Sequence, residues 1–251
     1  MRTAVFITAR VKSSRLPRKA LLKIGGKTAI EHLIERAKRA VRPQLVVMCT
    51  STNPHDLVLA ELAVKNNIYF FRGSEDDKLD RYLKAAEKFR VEFIVTVDGD
   101  DIFCDPELMD QAIEHFLQTE ADFITWNGLP LGAACAGIKV EALRRVCELK
   151  AETDTEVWGG YFTETGLFKV EQIEAEEALR RPEVRMTLDY PEDLRFFERI
   201  FAELDAGGRF FSLREVLSLL EEKPEITEIN RGVQAAYEEH LKKSAPVRLK
   251  S

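Results

Sequence analysis

The first half of the chain alternates short β-prone runs with helical segments of about ten to fifteen residues, and this pattern admits few folds. The runs are Thr3 to Thr8, Leu45 to Thr50, Ile68 to Phe71, Phe93 to Val97 and Phe123 to Thr125. Between them, Thr28 can cap a helix with Ile30, Leu33, Ile34 and Ala37 on one face, and Leu57 to Val64 reads as a second helix. Asp77 opens a third, through Phe89, and Pro106 sits in the first turn of a fourth, Glu107 to Leu117. The runs are apolar throughout rather than alternating, as strands covered on both faces must be. The expectation is an α/β fold, a mostly parallel sheet flanked by helices.

Beyond Asn127 the regularity weakens. Gly128 to Gly137 is small and turn-rich, Val140 to Leu149 is helical, and Gly159-Gly160 interrupts an aromatic segment. Strands are expected at Gly166 to Val170 and Val184 to Leu188, then helices at Glu192 to Leu204, Ser212 to Glu222 and Arg231 to Lys243. No repeat or linker cuts the chain, so residues 1–251 read as one domain: a nucleotide-binding half (1–127), a half for a second substrate and for dimerisation (128–210), and C-terminal helices (211–251). No apolar run is long enough to span a membrane and no leader pattern opens the chain, which implies the cytoplasm. Cys49, Cys104, Cys135 and Cys147 are scattered and read as reduced thiols. The small number of Asn and Gln beside 32% charged residues hints at a heat-adapted source.

Charge is uneven: residues 1–50 carry a net +10 and the remainder −16. A basic opening on an acidic body argues against a surface that coats nucleic acid and for one local anion site. The first loop, Ala9 to Lys19, supplies it: Arg10, Lys12, Arg15, Arg18 and Lys19 fall within ten residues. Basic runs are ordinarily solvated. This one leaves the carboxyl end of the first strand, where open parallel sheets bind ligands, and it is far longer than the usual βα connection. Ser13-Ser14 and Leu16-Pro17 punctuate it, fixing directions for cations that suit a polyphosphate.

Ala9-Arg10 through Ser14-Arg15-Leu16-Pro17-x-Lys19, then Ile24-Gly25-Gly26-Lys27 and Ile30-Glu31-His32, resembles the nucleotide-binding opening of the sugar-acid cytidylyltransferases, the 3-deoxy-manno-octulosonate and acylneuraminate enzymes. Gly73-Ser74 with Leu79-Asp80-Arg81-Tyr82 and Ala85-Ala86 is similar to the subgroup named for spore coat polysaccharide biosynthesis. The resemblance implies the nucleotide-diphospho-sugar transferase fold. It also implies that Ala9, Arg10, Ser14, Asp80 and Arg81 bind substrate, while Arg15 and Lys19 act on the triphosphate.

Two acidic stretches extend the picture. Asp98-Gly99-Asp100-Asp101 follows the fourth strand, and carboxylates so crowded repel unless a cation sits among them, with hard oxygens that suit Mg²⁺. Asp189-Tyr190-Pro191-Glu192-Asp193-Leu194 could, taken alone, be only a helix-capping device. By resemblance, Asp100 and Asp189 are the two metal ligands, with Asp100 also catalytic and Asp193 serving the helix start. Asp105-Pro106 matches the family, whereas Asp101-Ile102 replaces its usual Cys-Pro or Glu-Pro. Glu156 and Trp158 are expected at the acceptor, although aromatic residues such as Trp126, Trp158, Tyr161 and Phe162 are more often core. His32, His55, His115 and His240 all fall in helical contexts, and none reads as a base.

The implied activity is Mg²⁺-dependent transfer of CMP from CTP to a small anionic acceptor by a homodimer. An Asp-x-Asp glycosyltransferase is an alternative, as is a uridylyl- or guanylyltransferase. The latter usually carry a glycine-rich first loop, and residues 9–19 contain no glycine. A non-catalytic nucleotide sensor would not need both Asp100 and Asp189.

Overall fold

The computed structural model describes residues 1–205, 208–242 and 247–250. The first strand, β1 (Thr3–Thr8), is buried at every position: Val5 and Ile7 pack into one layer of the core, Ala4 and Phe6 into the layer on the other face. That two-sided burial is what the unbroken apolar run dictates. A short hairpin, β2 (Lys23–Ile24) and β3 (Lys27–Thr28), leads into α1 (Ala29–Ala37), whose first turn is closed by a reciprocal Thr28–Glu31 capping box. There follow β4 (Leu45–Ser51), α2 (Leu57–Lys65), β5 (Tyr69–Gly73), α3 (Lys78–Phe89), β6 (Phe93–Asp98), α4 (Pro106–Thr119) and β7 (Phe123–Asn127). The chain continues through β8 (Ala136–Lys139), α5 (Val140–Leu149), α6 (Gly160–Thr163), β9 (Val170–Glu174) and α7 (Pro191–Leu204). It ends in α8 (Leu213–Glu222), α9 (Glu228–Arg231) and α10 (Gln234–Lys242).

The sheet has seven strands in the order β5-β4-β1-β6-β8-β7-β9, and all pairs are parallel except those made by β8. From β1 the chain winds outward through β4 to β5, then crosses back to place β6 on the other side of β1. The order therefore reverses between β1 and β6, and a crevice opens beyond their carboxyl ends. The expected α/β class and parallel sheet are thus found.

The second half departs from expectation in three places. The turn-rich 128–137 stretch contains the start of β8; Gly137 fits there because a Cβ would stand 2.5 Å from the Phe93 ring. The strand expected at Gly166 to Val170 lies further on, at β9. The run Val184 to Leu188 is no ladder strand: it forms one parallel bridge, Arg185 to Leu131, and spends its amides on single loop carbonyls, Met186 N on Leu131 O at 2.7 Å and Leu188 N on Asp100 O at 3.0 Å. Of the helix expected from Arg231 to Lys243, α9 and α10 are its observed form, and Lys243 lies outside the described residues. No described helix is long and apolar enough to cross a membrane.

Candidate active site

The loops leaving β1 and β6 touch because residue 99 is glycine. A Cβ there would stand 2.7 Å from Ala9 Cβ and 3.0 Å from the Thr8 carbonyl, to which the Gly99 amide donates at 2.8 Å. The basic loop is pinned by its own backbone: Val11 N donates to Asp56 Oδ1 at 2.7 Å, the Thr50 hydroxyl donates to Ala9 O at 2.8 Å, and Leu16 is buried. Those anchors aim its cations inward. Arg10 donates to Glu75 O at 3.0 Å and to Glu156 at 3.2 Å; Arg15 Nη2 donates to Asp189 Oδ1 at 2.5 Å. Lys19 Nζ bridges the two expected metal ligands, donating to Asp100 and, at 2.8 Å, to Asp189.

Asp100 and Asp189, far apart in sequence, thus meet at one ammonium. Asp189 is held from behind by Arg185, whose Nη2 donates to Asp189 Oδ2 at 3.1 Å and to Asp193 at 3.0 Å. Asp193 accepts the Asp189 and Tyr190 amides, both at 2.9 Å, and so opens α7 while orienting the neighbouring carboxylate. Asn230 of α9 adds a donor to Asp193 at 2.9 Å.

The electrostatics of the two carboxylates differ. Burial alone would raise the Asp189 carboxyl, but Lys19 and Arg15 outweigh it and hold it at about 2. Asp100 is pushed up by burial, by Asp189 and by Asp98, against the pull of Lys19. Asp101 is driven well above the carboxylate range by burial and by Asp100 and Asp98. Oxygens of Asp98, Asp100 and Asp101 lie within 4.8 Å of one another, a set of hard donors. Such a set fits Mg²⁺.

Two clefts meet at this point. One, of about 140 Å³, is lined by Ala9, Arg10, Lys12, Lys19, Lys78 and Arg81 among others. The second, of about 510 Å³, lies toward Arg15, Asp101 and Asp189. Asp98, Asp100 and Glu156 face both.

Most of the remaining expected site residues fall elsewhere. Arg81 lines the first cleft but is almost wholly buried, donating to Ser74 O at 2.6 Å and to Thr8 Oγ1 at 3.0 Å, so it also braces the wall. Asp80 ion-pairs with Lys84 at 2.9 Å, one turn along α3, and lines neither cleft. Ser14 is exposed on the loop and lines neither. Trp158 packs edge-on against Tyr82, Phe123 and Phe162 as part of the core, leaving Glu156 and Val157 at the cleft. Two functional positions escaped the sequence analysis: Lys78, which pairs with Asp98, and Arg185. Arg185 carried one signal, its place four residues before an aspartate.

Comparison with known proteins agrees with this geometry. The cytidylyltransferase family model matches residues 4–200. An uncharacterised protein of Methanocaldococcus jannaschii is 30% identical over 242 residues, 95% of this chain and 99% of that protein. The spore coat polysaccharide biosynthesis protein SpsF of Bacillus subtilis is 30% identical over 227 residues, 87% of this chain and 94% of that protein. Among solved structures, a cytidylyltransferase from Leptospira borgpetersenii superposes with a TM-score of 0.83 at 26% identity, covering 90% of this chain and 97% of that one. The basic loop, the paired aspartates and the sheet order therefore have one common explanation: this chain is a member of the cytidylyltransferase family.

Proposed function

We propose that the protein transfers CMP from CTP to a sugar acid or other small anionic acceptor, with Mg²⁺ and with release of pyrophosphate, as a homodimer in the cytoplasm. The convergence of Arg15, Lys19, Asp100 and Asp189 at the mouth of β1 and β6 carries this reading. The cations are matched to a triphosphate, and the carboxylates left behind are matched to a divalent ion. Arg10, Arg15 and Lys19 would turn from carboxylates to phosphate oxygens, neutralising charge on the departing pyrophosphate. Mg²⁺ held by Asp100 and Asp189, with Asp98 and Asp101 in reach, would stabilise the charge that develops around the α-phosphorus. Asp98, Asp100 and Glu156 stand where the two clefts meet, so the acceptor oxygen can approach in line as the bond to the bridging oxygen breaks. No protein nucleophile is required. The relationship to SpsF supports a glycan precursor as the acceptor.

The test is incubation of pure protein and Mg²⁺ with each NTP and a panel of acceptors, scoring pyrophosphate and product mass. CTP-dependent pyrophosphate with a CMP-linked product is expected. A preference for UTP or GTP would overturn the nucleotide assignment.

A further inference from the structure

Arg36 and Arg39 stand one turn apart at the carboxyl end of α1, where cations suit the helix dipole and are ordinarily solvated. Arg36 is not solvated. It is 4% exposed, and the rings of Phe103, Phe210 and Phe211 surround its guanidinium carbon with centroids at 5.2, 5.0 and 5.2 Å. Its Nη2 donates to Phe211 O at 2.8 Å, but the buried Nη1 has no hydrogen-bond partner. Asp105, the carboxylate that answers its charge, stays 4.0 Å away and accepts the Leu213 amide at 2.8 Å on the same oxygen, Oδ2. Burial pulls the Arg36 guanidinium down to about 10, with Asp105 opposing the pull and Arg39 adding to it.

Arg39 places a second positive charge beside the first. Its guanidinium carbon lies 4.3 Å from the centroid of Phe210, the ring that Arg36 also overlies, and it forms no ion pair among the described residues. Both arginines line a cleft of about 50 Å³, the space of a few water molecules, between α1, the end of α7 and residues 208–211. Other polar groups of its wall are engaged: Lys27 with Glu35 at 2.6 Å, Arg209 with Glu215 at 2.8 Å, and His32 Nε2 with Ile24 O at 2.8 Å. Asp205 lies against the β2–β3 turn, its Oδ2 3.0 Å from where a Gly25 Cβ would stand. Two like charges over one ring repel, and a buried N–H without a partner costs free energy. A single anion in the cleft relieves both. None of the residues that line it lines either cleft of the candidate active site.

We infer that this cleft is a second ligand site, which binds one phosphate group between Arg36 Nη1 and the Arg39 guanidinium, independently of the proposed CMP transfer. The space suits one tetrahedral oxyanion and is too small for a nucleotide. A free phosphate ion and the phosphate of a small phosphorylated molecule offer the same charged oxygens to the two arginines.

The experiment is calorimetric titration of the full chain with inorganic phosphate and with glucose 1-phosphate, at an ionic strength held constant with chloride, in wild type, Arg15→Ala, Arg36→Met and Arg39→Ala. Arg15→Ala weakens any phosphate bound at the basic loop, and so separates the two sites. Wild type should show saturable phosphate binding that Arg15→Ala keeps within about twofold and that Arg39→Ala and Arg36→Met each weaken at least about tenfold. Arg39 is exposed, so its variant keeps the fold even where loss of Arg36 does not. Glucose 1-phosphate bound no tighter than phosphate assigns the site to the free ion, and tighter binding assigns it to a phosphorylated molecule; both uphold the inference. No saturable phosphate binding in wild type, or binding that survives Arg39→Ala unchanged, would overturn it, as would binding lost in Arg15→Ala.

Discussion

Asp100 and Asp189 share one ammonium, yet their replacement should have opposite effects on stability. Asp189 is almost wholly buried, and Lys19 and Arg15 hold its carboxyl at about 2, against an ordinary value of 3.8, while Arg185 hydrogen-bonds its other oxygen. With its carboxyl held below the ordinary value, its ionised form contributes on the order of 2 kcal/mol to folding at neutral pH. That contribution is present above pH 4 and is lost as the pH falls toward 2. Asp189→Asn should therefore lower Tm by about 5 to 10 °C in a chain of this size, with the fold intact, because Lys19 keeps Asp100 and Arg185 keeps Asp193. Asp100 has the reverse sign: its carboxyl is raised by burial, Asp189 and Asp98, so its ionisation opposes folding at neutral pH and is relieved by acid. Asp100→Asn should be neutral or stabilising. Both variants should nonetheless lose turnover by roughly 10² or more, and the double variant should fall far short of the product of the two. Urea unfolding followed by circular dichroism, beside pyrophosphate release, measures both quantities. If Asp100→Asn destabilises as much as Asp189→Asn, the assignment of the two carboxylates is wrong. Near-normal Mg²⁺-dependent turnover in Asp189→Asn would reduce that residue to a helix-opening role.

Arg15→Ala should weaken CTP binding at least about tenfold by calorimetry, from loss of one charge-assisted contact; Lys19→Ala should do the same and also destabilise, since Asp100 and Asp189 lose their common partner. Trp158→Ala should cost about 2 kcal/mol in urea unfolding while leaving nucleotide affinity within about twofold, because the half-buried indole packs against Phe123 and Phe162 of the core; a selective loss of acceptor binding would restore it to the cleft. Light scattering at micromolar concentration should give a dimer, and a monomeric mass would remove that part of the proposal.

Local pattern explains what could be read before the structure. Strands β1, β4 and β6 are unbroken apolar runs between helices whose caps, Thr28, Asp77 and Asp105, are visible in the chain. The meeting of Arg15 and Lys19 with Asp100 follows from β1 and β6 pointing the same way, whereas the approach of Asp189, which follows no strand of the sheet, and Lys19 as the bridge do not. Val184 to Leu188 reads as a strand because Val184, Met186 and Leu188 alternate with polar Arg185 and Thr187, but ladder pairing depends on a neighbour that sequence does not name; here the nearest chain is the Gly132 turn. Gly137 hid β8 because glycine is a turn signal until a Phe93 ring needs the space. Asp80 was placed by resemblance, and helix phase cannot be inherited that way; Trp158 was placed by its neighbouring glycine-rich turn, which does not say which side of the turn a ring packs on. Lys78 reaches Asp98 from another element, and Arg185 reaches Asp189 and Asp193 across a non-helical turn, so neither ion pair leaves a periodic trace.

The Leu188 amide, bonded to the Asp100 carbonyl, gives the site an unusual division of labour. Main chain fixes the spacing between the two aspartates, and side chains decide only what occupies it. Charge at the site can therefore be edited by substitution without rebuilding the scaffold that measures the gap. A lineage with this arrangement is free to try new ions, nucleotides or acceptors one residue at a time, each trial leaving the ruler in place.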